Sequence, residues 1–196
     1  MYQVRNGVFE TNSSSTHSIC ISKKPVDADG CHVDFHLGEF GWSFDEVDPA
    51  DYLYTAIMSF SDWRELLDML KDILDSHSIT YTFEKPKWDS YGDGEYYASD
   101  DYDDDDCWLA NGYVDHVGEA RDFVDAVLND EDMLMRLLFD GDSVVYTGCD
   151  SYEMDAMCYA AEPTIWKYDD YYDYTGEEIP NPNHDDDKYD YFFKGN

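Results

Sequence analysis

H17-S-I-C-I-S22 is the stretch on which the fold turns. Ile19 and Ile21 alternate with Ser18, Cys20 and Ser22, the period-two signature of a half-buried strand. Upstream, residues 11–16 (TNSSST) read as a polar turn, because Thr, Asn and Ser side chains bond their own backbone and favour loops. Residues 2–10 before them read as a partner strand. Downstream, residues 31–36 (CHVDFH) read as a further short strand with Val33 and Phe35 on one face, and residues 38–48 as an aromatic-rich loop.

Helical spacing takes over at Pro49. A helix is expected from there to about Phe60, with proline in its first turn. Asp62 followed three residues later by Glu65 predicts a capping box for a second helix. Trp63, Leu66, Leu67, Leu70, Ile73 and Leu74 give that helix an apolar stripe, which is core. Residues 78–84 alternate like a strand. Residues 119–128 read as a helix with Ala120, Phe123, Val124 and Val127 inward, and residues 129–139 as another, capped by Asn129 or Asp130. Gly141 and Asp142 turn into a strand at 143–147. Residues 154–161 fit either helix or strand, and 163–168 an edge strand. Helices and strands mix without a βαβ rhythm, so the expected class is α+β: a mixed or antiparallel sheet with three to four helices. Residues 1–166 are expected to form one domain, with an acidic loop insertion at 89–106. Residues 167–196 are read as an acidic, Tyr-rich C-terminal extension, in which Pro180 and Pro182 exclude a long helix.

A chain of 196 residues buries roughly 70% of its unfolded surface and needs no covalent staple. With 43% hydrophobic and 17% aromatic residues, wholesale disorder is excluded. The charge is the anomaly. Asp and Glu total 46 against 12 Lys and Arg, a formal −34. That equals the charge of roughly 17 base pairs of duplex DNA. Such a surface repels free DNA and anionic lipid, and suits basic nucleic-acid-binding proteins as partners. Solubility, or adaptation to salt, is the competing explanation. The five cysteines are odd in number and lack C-x-x-C spacing, which points to reduced thiols rather than disulfides or a zinc knuckle. The opening residues lack a signal-peptide layout and no apolar run approaches 18 residues, so a cytoplasmic protein with no membrane association is expected.

The charge is uneven. Residues 1–24 hold Arg5, Lys23 and Lys24 against Glu10 alone, a local +2. On this island sits the densest polar cluster, residues 10–18 (ETNSSSTHS). Glu10 and His17 are suited to general base and acid in phosphodiester cleavage. Asn12 and Ser13 are suited to holding a phosphate or an oxyanion, and a Ser beside a His to nucleophilic attack. The same composition equally makes a turn. A second cluster is G112-Y-V-D-H-V-G118, where Asp115 could orient His116, and a third is T147-G-C-D150. Glu10, His17, Asp115, His116 and Asp150 could together take a divalent cation, although no spacing signature supports it. No EF-hand, P-loop, GxGxxG or HExxH occurs, so no resident metal or organic cofactor is expected. Two Asp/Tyr tracts complete the picture: Asp101, Tyr102, Asp103, Asp104, Asp105 and Asp106 in the insertion, and Asp169, Asp170, Tyr171 and Tyr172 in the tail. Tyrosine brings apolar area at low entropy cost, and aspartate pairs with the Arg and Lys of a phosphate-binding groove. The plainer alternative is a solvated loop.

The run R5-N-G-V-F-E-T-N-S-S-S-T-H-S18 resembles the opening of a family of small proteins from bacteriophages and mobile elements of Gram-positive hosts. The likeness continues at G38-E-F-G-W42, Y113-V-D-H116 and S143-V-V-Y-T-G148 with Asp150. It departs at Val117-Gly118, where that family is expected to have Gln-Ser. Some of these proteins resemble inhibitors of type II-A CRISPR systems, one mode being loss or truncation of the guide RNA. The resemblance implies an anti-defence protein acting in the bacterial cytoplasm on a CRISPR effector nuclease or its guide-RNA complex. It puts Glu10, Asn12, Ser13 and His17 at the working site, with Asp115 and His116 nearby. A ribonuclease or phosphodiesterase using residues 10–18, and a non-catalytic scaffold or virion-associated protein, stand as alternatives. Whether the chain is an enzyme is left open.

Overall fold

β1 (Ser15–Ser22) is buried along its whole length. In the computed structural model, which describes residues 15–41, 45–90, 107–149, 160–168 and 174–195, β1 runs antiparallel between β9 (Val144–Cys149) and β12 (Tyr189–Gly195). β4 (Asp45–Val47) pairs with the far side of β9 and closes a four-stranded sheet of order β12-β1-β9-β4. Alternation along β1 divides its side chains between two faces. Ile19 and Ile21 enter the main core. Cys20 faces a smaller cluster with Ala160, Tyr189, Val144, Tyr146 and Phe192, where burial pushes its thiol up to about 12. The strand is therefore covered on both sides, not half-buried as its alternation suggests.

Four helices cover the main face. α1 (Pro49–Met58) starts at Asp48, whose carboxylate accepts from the Ala50 and Asp51 amides, and it buries Tyr52 through Met58. α2 (Trp63–Ser76) turns Leu66, Leu67, Leu70, Ile73 and Leu74 inward as its stripe requires. A 3-10 turn (Val117–Ala120) leads into α3 (Arg121–Leu128). Ala120, Phe123, Val124 and Val127 are all buried. α4 (Glu131–Phe139) is capped by Asp130, which accepts from the Met133 amide at 3.0 Å. Shorter pairings tie the loops down. β2 (His32–Phe35) runs parallel to β5 (Thr80–Phe83), and β3 (Glu39–Phe40) parallel to β8 (Tyr113–Val114). β6 (Trp88–Ser90) pairs antiparallel with β7 (Cys107–Leu109), and β10 (Thr164–Tyr168) with β11 (Tyr174–Pro180). Four helices beside mostly antiparallel strands make this an α+β fold. No described helix is long and apolar enough to cross a membrane.

Four local expectations are corrected. Ser15 and Thr16 belong to β1 rather than to a turn, because their backbone pairs with Cys149 and Gly148. The loop 38–48 contains β3 and β4, and β4 is an edge of the main sheet. Asp62 makes no side-chain cap; its carboxylate instead takes Arg121 from α3, with both oxygens at 2.9 Å from Nη1. The segment 189–195 is not an appended tail: β12 pairs with β1 in the main sheet, because Tyr191 and Phe193 pack on the main core.

Four of the described cations stand near that last strand. Arg136 Nη1 donates to the Ser22 carbonyl and to Asp190, each at 2.6 Å. Lys188 meets Asp142 at 3.3 Å and Lys194 meets Glu162 at 2.9 Å, while Lys23 donates to the Asp186 carbonyl. Positive charge stands where self-repulsion would otherwise pull the sheet edge away. An Arg136→Met variant leaves a strand carbonyl and a carboxylate without their donor. It is expected to lose about 2 kcal/mol of unfolding free energy in a urea titration. Arg136→Lys should recover only part, since an ammonium lacks the forked donor geometry.

Candidate functional site

His17 occupies the β1 position opposite Thr147 on β9 and Gly195 on β12. The strand alternation that sends Ile19 and Ile21 into the core sends its imidazole there too, and it is 1% exposed. Nε2 lies 2.7 Å from the backbone carbonyl of Asp115. A carbonyl only accepts, so Nε2 carries the proton and donates. Ser15 Oγ stands 3.2 Å from the same nitrogen. With Nε2 protonated, the ring cannot take the Ser15 proton, so the pair is not a nucleophile and its base. Nδ1 then carries the lone pair, and it is buried without a hydrogen-bond partner among the described residues.

The ring packs against Tyr52 of α1, centroids 5.7 Å apart. Tyr52 itself sits between Phe40 at 5.7 Å and Phe123 at 6.0 Å. Its phenol is fully buried, likewise without a partner among the described residues, and burial pushes its ionisation far upward. Burial also holds the His17 pKa below 6.5, outweighing the bond to the Asp115 carbonyl and the nearby Asp115 and Glu119 carboxylates.

Asp115 follows β8. Its amide donates to the Phe40 carbonyl at 2.9 Å, and its carboxylate accepts from the Tyr113 hydroxyl. The main chain of Asp115, not its carboxylate, holds the imidazole. His116 is exposed and takes the left-handed conformation, φ 52°, with its carbonyl accepting from the Glu119 amide at 2.9 Å. Gly41 closes the node from above. Its φ is +115°, and a Cβ there would lie 2.7 Å from Asp115 Cβ and 3.2 Å from Ser15 Cβ.

Of the residues singled out by sequence, the structure brings His17 and Asp115 together and leaves the His116 side chain outside the core. Glu10, Asn12, Ser13, Asp150, Asp101 to Asp106 and Asp169 to Tyr172 lie outside the described residues. Among the described residues, no three His, Cys, Asp or Glu side chains converge on a point that could hold a metal. Ser15, Tyr113 and Thr147 lay inside the sequence clusters and Gly41 inside a motif of the resemblance, none with a role of its own, and Tyr52 was not anticipated. Ser15 could have been found two positions before His17 on the same strand face. Tyr52 carries no local signal, because α1 alone brings it there. The other face of the sheet holds a cavity of about 140 Å³ between Val144, Tyr146, Ala160, Asn183 and Tyr189.

No protein-family model, no curated protein and no solved structure matches the chain.

Gly41→Ala forces a strained backbone and a Cβ overlap at once, and it is expected to cost at least about 2 kcal/mol of stability. Tyr113→Phe removes the donor to Asp115, with an expected cost of about 1–2 kcal/mol. Urea denaturation of both variants checks the order.

Proposed function

We propose that this protein is an acidic binding protein that occupies the nucleic-acid groove of a basic partner rather than turning over a substrate. The observation that carries this reading is the charge together with the placement of the cations. The formal charge is −34, and the described cations Lys24, Arg121, Arg136, Lys167, Lys188 and Lys194 sit in ion pairs within the chain. The acids thus dominate what faces outward. On α2, Glu65, Asp68, Asp72 and Asp75 are exposed at spacings that keep them on one side of the helix. Asp185, Asp186 and Asp187 are exposed before β12.

The partner named by the family resemblance is a type II CRISPR effector nuclease, whose guide-binding groove must be basic to hold RNA. In this reading the protein is encoded by a phage or mobile element, competes with phosphates for groove Arg and Lys, and blocks guide loading. The catalytic alternative requires His17 to exchange protons with a bound phosphodiester. Its burial and its engagement by the Asp115 carbonyl weigh against that.

The test is association with a guide-free effector, followed optically. Raising salt from about 50 mM to about 500 mM should slow association roughly tenfold or more. Guide RNA loaded beforehand should protect the effector. A charge-matched acidic protein is the control, and no binding, or binding indifferent to salt, sinks the proposal. Labelled guide RNA cut by the wild type but spared by His17→Gln would put the enzyme in its place.

A further inference from the structure

We infer that His17 is a proton-operated lock: its buried neutral imidazole fastens the start of β1 to the turn at Asp115 and His116, and a second proton on the ring releases that turn. The geometry carries this. Nε2 already donates to the Asp115 carbonyl at 2.7 Å. A second proton must go to Nδ1, which is buried with no acceptor among the described residues. A cation formed there would have a buried N–H with no acceptor among the described residues.

The groups around the ring come from six parts of the chain. β1 offers the Ser15 hydroxyl, β9 the Thr147 hydroxyl in register, and α1 the Tyr52 ring. β12 offers Gly195, which has no side chain. After β8 come the Asp115 carboxylate, already accepting from Tyr113, and His116; Glu119 follows in the 3-10 turn. The two carboxylates favour a charged ring, while His116 and burial oppose it, and burial is the largest influence.

The sign follows from linkage. The closed form has its pKa below 6.5, so below that pH the opened form binds a proton that the closed form does not. Opening then becomes up to about tenfold more frequent for each pH unit of acidification, until the closed form itself titrates. The chain as a whole pulls the other way, because acid relieves the self-repulsion of a −34 protein. The lock is therefore read as a difference between the wild type and His17→Gln, which keeps a side-chain N–H donor and cannot titrate.

The experiment uses the full chain. Ring nitrogens of His17 are followed by NMR from about pH 7.5 to about 4.5, with exchange at the Asp115 and Glu119 amides corrected for its intrinsic pH dependence. Expected are a neutral Nε2–H ring near pH 7, a midpoint below 6.5, and opening that steepens with acid by up to about tenfold per unit. His17→Gln should lose that slope. A ring that is charged or Nδ1–H near neutrality, a midpoint at or above 6.5, or an equal slope in the variant would overturn the lock. Should His17→Gln fail to fold, the wild-type ring midpoint and amide slope decide alone.

Discussion

Covering β1 on both faces obliges every polar side chain on it to find a partner inside the protein. Each partner found fixes another segment. Ser18 Oγ accepts from the Ala161 amide at 2.8 Å and holds down the return of the chain into β10. The Ser22 amide donates to Ser143 Oγ at 3.0 Å, and Ser22 Oγ accepts from Lys24. His17 holds the turn after β8. A buried polar group without a partner costs on the order of 1–3 kcal/mol, so these bonds select one arrangement of segments over others that would bury equal apolar area. The strand is polar and buried at once, and it acts as the reference to which distant segments are aligned.

Charge imposes the second constraint. With so few bases, some of the described cations neutralise where two elements meet. Arg121 joins the start of α2 to α3 through Asp62 and Asp125, and Arg136 joins α4 to β1 and β12. Exposed ion pairs are individually weak, typically about 0–1 kcal/mol. Arg136 differs because its side chain is mostly buried and one of its acceptors is a strand carbonyl. The arrangement leaves the outward surface strongly acidic while keeping repulsion away from the seams.

What was legible in the sequence was local. α1 to α4 follow from periodicity, from proline at the first turn of α1, and from the cap offered by Asn129 or Asp130, of which Asp130 serves, all contained within a dozen residues. β12 and β4 were missed because their partners lie far along the chain, and a strand of three residues carries no period. Asp62 was misread for a related reason: the capping pattern is local, whereas Arg121 reaches it from α3. At the candidate site, His17 and Asp115 were both flagged, yet their link runs through a main-chain carbonyl. Patterns of side chains do not encode which way a carbonyl points. Gly41 was visible only as a letter in a motif, until its positive φ and its closeness to Asp115 gave a reason for a residue without Cβ.

The pairing of β1 with β12 has a consequence for how the chain is made. His17 stands opposite Gly195, so β1 must wait until synthesis has reached β12 before this pairing can form. Until then β1 presents an unpaired edge and the side of its core strand to solvent, a state prone to wrong partners. Contacts this far apart in sequence form slowly, because the loop must close before any pairing rewards it. A nascent chain carrying this much negative charge repels other copies of itself during that wait. The acidity of the folded surface thus also acts as the chain's own solubiliser during synthesis.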